Sequence, residues 1–278
     1  MFQTLEDCAA AWKAAGRHGT REERIARNLL WKRYYAGLAC AQSGESAAIS
    51  PRAIETVDRL FREGLLTPES TVLDIGSGTG DFAFAFAARC AHVTALDMDA
   101  ASLAVLAADA AQLSLGNITC ETAMWESYAP QRQFSFVFSS MCPAICDYDE
   151  LMKIESLSSH GCGLVAVTRG SFDLHRKKLM QLLDVHPAGG MTTEALWYYE
   201  ALYCAGRQPS IASRSFHAAY EISLESACQK SALYFTIFGI SPETSLAVIR
   251  PYFESIASNG MVADETQLNT ALISWVVS

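Results

Sequence analysis

Short apolar runs alternate with amphipathic stretches between residue 71 and about residue 183. Apolar runs of five or six residues are typical of buried strands, whereas apolar residues at every third or fourth position are typical of helices. Strands separated by helices form parallel sheets that are covered on both faces. We therefore predict an α/β fold with a doubly wound, mostly parallel sheet. Its strands are expected at 71–75, 92–96, 118–122, 134–139 and 163–168, and its helices near 81–89, 99–115, 148–157 and 173–183.

Glycine marks the expected ends of two helices. The helix over 99–115 has a clear apolar face, and Gly116 is expected to end it, because glycine readily adopts the left-handed conformation that follows many helices. Pro51 at a first helical position and Gly64 at a stop predict another helix over 51–63.

Helical and irregular segments flank the alternating region. Thr20 and Glu23 form a capping box, which predicts a helix over about 21–41. After residue 184, glycine, proline and a group of aromatic residues at 197–203 predict an inserted lid over about 184–212. The remaining pattern predicts a strand at 216–223, helices near 224–236 and 242–257, and a final strand at 271–278.

The segment 74–81 is the most informative about function. It has the sequence DIGSGTGD, directly after an apolar strand and directly before a helix. Alternate glycines let a ligand lie against the backbone, and a helix start offers free N–H groups. The carboxylates of Asp74 and Asp81 would repel a pyrophosphate but tolerate a ligand with an ammonium and a sulfonium. Asp97, at the end of the second strand, is placed to accept hydrogen bonds from both hydroxyls of a ribose.

These features resemble the class I S-adenosylmethionine (SAM)-dependent methyltransferases, whose first motif is an acid, any residue and then Gly-x-Gly-x-Gly in a Rossmann-like domain. The resemblance covers about residues 51–170 well and 216–278 more weakly. It implies an enzyme, SAM as the cofactor, and an antiparallel last strand. It also implies contacts to SAM from Asp74 at the amino-acid end, Gly76, Ser77 and Gly78 beside the methionine part, Asp97 at the ribose and Met98 on the adenine.

The resemblance also suggests a division of the chain. Residues 1–50 are expected to form an N-terminal helical cap, and residues 51–278 a SAM-binding domain that carries the inserted lid. Many small-molecule methyltransferases of this class close such a cap over the pocket. Tyr34 and Tyr35 are therefore candidates to touch the methionine carboxylate or the acceptor, and the aromatic residues at 197–203 would help to enclose an apolar or planar acceptor.

The sequence departs from the family at two strands. The third strand commonly ends in an acid that binds the adenine amino group, but residues 122–125 are TAMW. We expect backbone N–H groups near Met124 and packing by Trp125 to hold the adenine instead. The fourth strand opens with Phe134 and Ser135, where the family usually has Phe-Asp.

The acceptor is expected beside the end of the fourth strand, where the sequence is SSMCP from Ser139 onward, and Ser139 is a candidate contact of the cofactor there. This segment lacks the Asn-Pro-Pro-Tyr type of motif found in some amino-methylating relatives, which disfavours adenine-N6 and glutamine as acceptors. Methyl transfer needs alignment first, and a base only when the nucleophile is protonated. His160 and His175 are weak candidates for that base, since each is more commonly a surface or capping residue.

Composition and charge limit the possible functions. Half of the 278 residues are apolar, and no apolar run approaches the length of a membrane span. The N-terminus does not resemble a signal peptide, so a cytoplasmic protein is expected. Cys142 and Cys146 lack a second ligand pair, so we predict no metal site. The net charge of −9 disfavours a stable complex with nucleic acid, although residues 1–36 hold seven Lys or Arg against four acids.

The leading hypothesis is therefore a methyltransferase for a small-molecule acceptor, with the oligomeric state left open. A methyltransferase for RNA or protein is the alternative among enzymes. A SAM-binding protein without catalysis is a further alternative, because the glycine loop supports binding by itself. A dinucleotide-dependent reductase is a remote one.

Overall fold

The computed structural model describes residues 4–15, 21–42, 48–186 and 194–277. The helices are α1 (Leu5–Ala15), α2 (Arg21–Gln42), α3 (Pro51–Arg62), α4 (Asp81–Ala87), α5 (Ala100–Gln112), α6 (Tyr148–Ser156), α7 (Arg176–Leu182), α8 (Ala195–Cys204), α9 (Leu224–Phe235) and α10 (Pro242–Ile256). The strands are β1 (Thr71–Ile75), β2 (His92–Asp97), β3 (Ile118–Thr122), β4 (Phe134–Ser140), β5 (Ser158–Val167), β6 (Phe172–Asp173), β7 (Ser210–Ser223) and β8 (Met261–Val276).

The strands form one sheet in the order β3-β2-β1-β4-β5-β8-β6, and β7 also pairs with β8. The strands β1 to β5 pair in parallel, whereas β8 pairs antiparallel with β5, β6 and β7. The predicted doubly wound, mostly parallel sheet with an antiparallel last strand is confirmed. The strand order reverses between β1 and β4, and ligands bind in α/β sheets at such a point, outside the carboxyl ends of the strands.

The two faces of the sheet are buried under different helices. Val72 on β1 faces a cluster built with α3, α4 and α5, whereas its neighbour Leu73 faces a cluster built with α1, α6 and α8. Successive residues of a strand point to opposite faces, so an apolar run that is buried on both faces has no polar alternation. This burial on both faces explains why a short apolar run in the sequence predicts β1 at its observed bounds.

Several predicted helix ends agree with the structure. The side chain of Ser50 accepts a hydrogen bond from the backbone of Ala53, and Pro51 occupies the first turn of α3. Gly64 follows α3 with a φ of 74°. The helix predicted over 21–41 is present as α2, whereas Thr20 of the predicted capping box lies outside the described residues.

Gly116 does not end α5, contrary to the prediction. The helix stops at Gln112, and Ser114 adopts the left-handed conformation with a φ of 58°. The backbone N–H of Leu115 then donates to the carbonyl of Ala110 over 2.9 Å. A six-to-one bond of this kind closes a Schellman turn, which here forms on serine two residues before the glycine.

The C-terminal strands are much longer than predicted. The strand β8 begins at Met261 rather than at residue 271, and β7 begins at Ser210 rather than at residue 216. The strand β7 pairs with β8 along its whole length. Since β8 pairs with β5 only from Thr270 onward, the first half of β8 extends with β7 beyond the carboxyl end of β5. The helices α7, α9 and α10 pack on this extended ribbon around a separate apolar cluster.

The described part of the predicted lid contains α8, which packs against the sheet. Tyr198 on α8 is buried and donates a hydrogen bond to the carbonyl of Ile145, while Trp197 stacks on Trp12 of α1. Residues 187–193 lie outside the described part of the chain. The division of the chain into a cap, a main domain and a lid remains a prediction. None of the helices in the described ranges is both long and apolar enough to span a membrane.

Candidate functional site

A cavity of ≈ 220 Å³ lies at the carboxyl ends of the central strands. Its floor is the glycine loop after β1, one side is formed by the ends of β2 and β3, and the other side by the loop after β4. The helix α2 contributes Asn28, Trp31 and Lys32 to its roof. The cavity therefore sits where the order of the strands reverses, which is the usual place for a ligand in such a sheet.

The glycine loop depends on left-handed backbone at three positions. Gly76, Gly78 and Gly80 have φ angles of 73°, 54° and 104°, values that side chains strongly disfavour. A β-carbon at Gly80 would lie 2.5 Å from the ring of Phe84 and 2.8 Å from Leu106. Gly80 is therefore required for the packing of α4, while Gly76 and Gly78 line the cavity and keep its floor bare.

Asp97 ties the glycine loop to the end of β2. One carboxylate oxygen accepts a hydrogen bond from the backbone N–H of Gly78 over 2.9 Å, and the other accepts from the N–H of Asp99 over 2.8 Å. Burial raises the pKa of Asp97, and the two backbone donors oppose that effect. Each carboxylate oxygen keeps further acceptor capacity, so Asp97 can still receive two hydroxyl groups.

Asp74 is almost completely buried at the end of β1, with 1 % of its surface exposed. Its Oδ2 atom has no hydrogen-bond partner among the described residues. Burial raises the pKa of Asp74 to about 7; Ser77 opposes this shift, and the nearby Asp97 and Asp81 add to it. A buried carboxylate oxygen without a partner is unfavourable, and a cationic ligand beside it would satisfy it.

Two further residues that line the cavity carry a buried polar atom without a partner in the described part of the chain. These atoms are Oδ1 of Asn28 and Nε1 of Trp125. Buried polar groups in folded proteins are nearly always hydrogen-bonded, so an unpartnered atom in a cavity wall indicates a missing ligand or water. With Asp74 Oδ2, these atoms offer two acceptors and one donor to an occupant.

The helix α2 is joined to the cavity rim by two polar contacts. The side-chain amide of Asn28 donates to Glu126 over 2.5 Å, and Nζ of Lys32 donates to the backbone carbonyl of Met98 over 3.2 Å. Trp31, between them in sequence, is 8 % exposed. Asn28, Trp31, Lys32 and Glu126 have no local signal in the sequence, because only the tertiary contact of α2 with the ends of β2 and β3 brings them together.

The sequence of residues 72–156 matches the family described as methyltransferase domain. The match covers β1, the glycine loop, β2, β3, β4 and α6. This chain contains a methyltransferase domain.

The chain is also similar to several solved structures. A candidate methyltransferase from Bacillus halodurans is 16 % identical, with a TM-score of 0.53 over 80 % of this chain and 98 % of its own. Coclaurine N-methyltransferase, solved with N-methylheliamine and S-adenosylhomocysteine, is 13 % identical, with a TM-score of 0.48 over 97 % of this chain and 92 % of its own. Magnesium protoporphyrin IX methyltransferase from Synechocystis is 14 % identical, with a TM-score of 0.46 over 82 % of each chain.

No curated protein matches the sequence at a significant level. The family match over residues 72–156 confirms the predicted methyltransferase, and the fold shared with the Bacillus halodurans protein agrees with it.

Most residues predicted to bind the cofactor line the cavity of the methyltransferase. They are Asp74, Gly76, Ser77, Gly78, Asp97, Met98, Met124 and Trp125. Ser139 does not line it: its hydroxyl donates to the carbonyl of Ile75 over 3.0 Å and ties β4 to β1. Tyr34 is also outside it, since its ring packs edge-on against Tyr234 of α9, with 6.1 Å between the ring centroids. The side chain of Tyr35 lies outside the described part of the structure.

Neither histidine proposed as a base lines the cavity. His160 lies at the start of β5, at the opposite edge of the sheet, and contacts the carbonyl of Gly64 over 3.1 Å. His175 contacts the carbonyl of Ala263 and the hydroxyl of Tyr252, over 2.8 and 2.9 Å. Both ring nitrogens of His175 are thus engaged in holding α7 to the extended ribbon.

The loop after β4 faces the glycine loop across the cavity. Met141 adopts a left-handed conformation with a φ of 51°, which is unfavourable for a residue with a side chain. Burial raises the pKa of the next residue, Cys142, to about 12, so its thiol stays protonated. Within the described ranges, no three His, Cys, Asp or Glu side chains are grouped as a metal site would need. The aromatic side chains at 197–203 do not line this cavity.

Proposed function

We propose that this SAM-dependent methyltransferase transfers the methyl group in line to a small-molecule acceptor. The observation that carries the proposal is the cavity itself, which has an acid-flanked glycine loop as its floor and α2 as its roof. In the reaction, the bond between sulfur and methyl breaks while the acceptor nucleophile forms a bond to the methyl. The products are the methylated acceptor and S-adenosylhomocysteine, and any proton of the nucleophile passes to solvent.

The cofactor would lie along the floor of the cavity. Asp74 would accept a hydrogen bond from the SAM ammonium through its free Oδ2, and Asp97 would hold the two ribose hydroxyls. Gly76, Ser77 and Gly78 would lie beside the methionine part. The base would then extend toward the end of β3, between Met98, Met124 and Trp125. Ser139 and Tyr34 would act indirectly, by fixing the end of β4 and the position of α2.

The charge of the cavity supports a small acceptor over RNA. Among the described residues, the cavity is lined by five acids, namely Asp74, Asp81, Asp97, Asp99 and Glu126, and by the two bases Lys32 and Arg52. Arg52 is itself paired with Asp81 over 2.6 Å. Phosphate groups need cations that are free to replace their counterions, and this rim offers few. The roof formed by α2 also favours a compact acceptor over a polypeptide.

The surroundings of the methyl support catalysis by alignment. The histidines His160 and His175 are held elsewhere, and the thiol of Cys142 stays protonated. Displacement at a sulfonium methyl is accelerated strongly by holding the two reactants in line. We therefore propose that the cavity positions an acceptor atom that is already unprotonated, or that loses its proton to water.

A single-turnover experiment tests this function. Excess enzyme is mixed with SAM labelled on the methyl group, and then with a small-molecule extract, an RNA fraction or a protein fraction. We expect label in the small-molecule fraction with wild-type enzyme and none with Asp97→Ala. Label that appears mainly in RNA or protein would establish the alternative acceptor class. If SAM binds but no fraction accepts label, the proposal of catalysis fails and the protein is a SAM-binding protein.

A further inference from the structure

The contact between Asn28 and Glu126 joins two parts of the chain across one end of the cavity. Asn28 lies on α2, and Glu126 lies in the 3₁₀ turn Trp125–Ser127 that follows β3. Both side chains line the cavity, and Asn28 is 3 % exposed. One turn further along α2, Lys32 holds the carbonyl of Met98. The face of α2 that carries Asn28 and Lys32 therefore lies on the ends of β2 and β3.

The amide of Asn28 has a defined orientation. An ionised carboxylate accepts hydrogen bonds and donates none, so the NH₂ group of Asn28 must face Glu126. The amide oxygen then points away from Glu126, and it has no partner among the described residues. Two acceptor groups, the Asn28 oxygen and the Glu126 carboxylate, thus lie side by side at this end of the cavity, and the buried Asn28 oxygen requires a donor.

The position of these acceptors matches the base of the cofactor. The amino-acid end of a SAM molecule would lie at the glycine loop, and Asp97 at the end of β2 would hold its sugar. The base must continue in the same direction, toward the turn after β3 that holds Trp125 and Glu126. The 6-amino group is the N–H donor of adenine, and its ring nitrogens are acceptors. The free acceptor of Asn28 and the free Nε1 donor of Trp125 complement these groups.

We propose that Asn28 determines the specificity of the cofactor site, because its amide oxygen accepts a hydrogen bond from the 6-amino group of adenine while Glu126 holds the amide in place. The helix α2 then supplies the acceptor for the 6-amino group, because residues 122–125 at the end of β3 include no carboxylate. This assignment rests on the proposed binding of SAM. It adds that the roof of the cavity contributes to recognition of the cofactor as well as to its enclosure.

Calorimetric titration with two nucleosides tests the assignment. The probes are S-adenosylhomocysteine and its deaminated analogue, in which an oxo group replaces the 6-amino group. Wild-type protein should prefer the amino form by at least about tenfold, because an oxo group would face two acceptors. The variant Asn28→Leu should lose about tenfold in affinity for the amino form and change little for the oxo form, so the preference should collapse.

Two variants separate this effect from a general loss of binding. Arg52→Ala changes the other end of the cavity, so it should weaken both nucleosides equally and keep the preference. Leu29→Ala changes an exposed residue of α2 and should keep both affinities. Should Asn28→Leu fail to fold in a thermal unfolding measurement, Glu126→Ala takes its place, since it frees the amide to rotate and should also reduce the preference.

The outcomes distinguish the assignment from the proposed function. An unchanged preference in folded Asn28→Leu, with S-adenosylhomocysteine still bound, overturns the role of Asn28 and leaves the methyltransferase proposal intact. A wild-type protein that binds neither nucleoside overturns both. A wild-type protein that binds the two forms equally shows that the 6-amino group is not read, and this result also overturns the assignment.

Discussion

Gly76 in the loop after β1 and Cys142 in the loop after β4 touch across the cavity floor. A β-carbon at Gly76 would lie 2.9 Å from Sγ of Cys142 and 3.1 Å from its Cβ. The backbone of Gly76 is also left-handed, with a φ of 73°. Glycine is therefore required at residue 76 for two independent reasons, the left-handed backbone and the lack of room for a β-carbon beside Cys142. The loop would meet the cofactor at this residue.

Gly76→Ala should lower the free energy of unfolding by about 1–3 kcal/mol, since it combines a disfavoured φ with a close contact. Chemical denaturation measures this change. Gly116→Ala is the matched control, because Gly116 has no positive φ and a β-carbon there would meet nothing within 4 Å. The double variant with Cys142→Ala should recover part of the loss by removing the contact. Wild-type stability in Gly76→Ala would contradict this reading of the loop.

Asp97→Ala should weaken the binding of S-adenosylhomocysteine by about a hundredfold. The substitution removes the proposed ribose acceptors, and hydrogen bonds to charged groups contribute about 1.5–3 kcal/mol each. It also releases the N–H groups of Gly78 and Asp99. Isothermal titration calorimetry provides the measurement, and Asp149→Ala, an exposed acid outside the cavity, serves as the control. An affinity within threefold of the wild type would show that the sugar lies elsewhere.

The stability of the unliganded protein should fall as the pH rises from about 4 to about 7. Burial raises the pKa of Asp74 from 3.8 to about 7, so folding favours the protonated carboxyl. This contribution is complete below pH 4 and is lost as the pH rises through 7; the raised pKa of Asp97 acts in the same direction. Asp74→Asn should therefore be more stable than wild type at pH 8, by about 1–4 kcal/mol, and equal to it at pH 4. Denaturation curves at both pH values provide the check.

The same carboxyl should release a proton when the cofactor binds. An ammonium beside Asp74 favours the ionised form, so affinity for S-adenosylhomocysteine should increase as the pH rises through 7. Titrations near pH 6.5 in two buffers with different ionisation enthalpies would measure the protons released. Asp74→Asn should release fewer protons and bind more weakly at pH 8. A proton count that does not change in Asp74→Asn would argue against a contact with the ammonium.

Glu155→Ala should lower the free energy of unfolding by about 1–3 kcal/mol, since it removes the ion pair with the half-buried Arg207 and leaves the buried Nε1 of Trp275 without an acceptor. Glu155 on α6 accepts from Nε of Arg207 and from Nε1 of Trp275 on β8, both over 3.0 Å. The exposed pair of Arg250 and Glu225 provides the comparison, because solvent screens it and Arg250→Ala should change stability much less than Glu155→Ala. Equal effects in the two variants would contradict a structural role for the Glu155 network.

The first strands and the glycine loop could be predicted because their signals are local. The strand β1 was predicted at its observed bounds, since its apolar run is buried on both faces. The three glycines in the next loop indicate a backbone with positive φ angles, and all three adopt them. The position of Asp97 in the site could be predicted because it is the last residue of the second strand. For these features, the side chains that define the structure are neighbours in sequence.

The C-terminal ribbon and the roof of the cavity could not be predicted in the same way. Residues 264–270 of β8 (DETQLNT) are largely polar, because this part of the strand extends beyond the sheet core and pairs mainly with β7. No apolar alternation therefore identifies it as a strand. Asn28 and Glu126 are 98 positions apart in sequence and meet only through tertiary packing. The predicted end of α5 is wrong because Ser114, and not Gly116, adopts the left-handed conformation that ends the helix.

The helix α2 touches both the nucleoside end of the cavity and the helices on the C-terminal ribbon. Asn28 and Lys32 face the former, while Tyr34 packs against Tyr234 of α9. A shift of α9 would thus displace the amide that faces the base, even though α9 lies outside the cavity wall. Substitutions on α9 should consequently change the affinity for the cofactor without altering any residue that the nucleoside would contact.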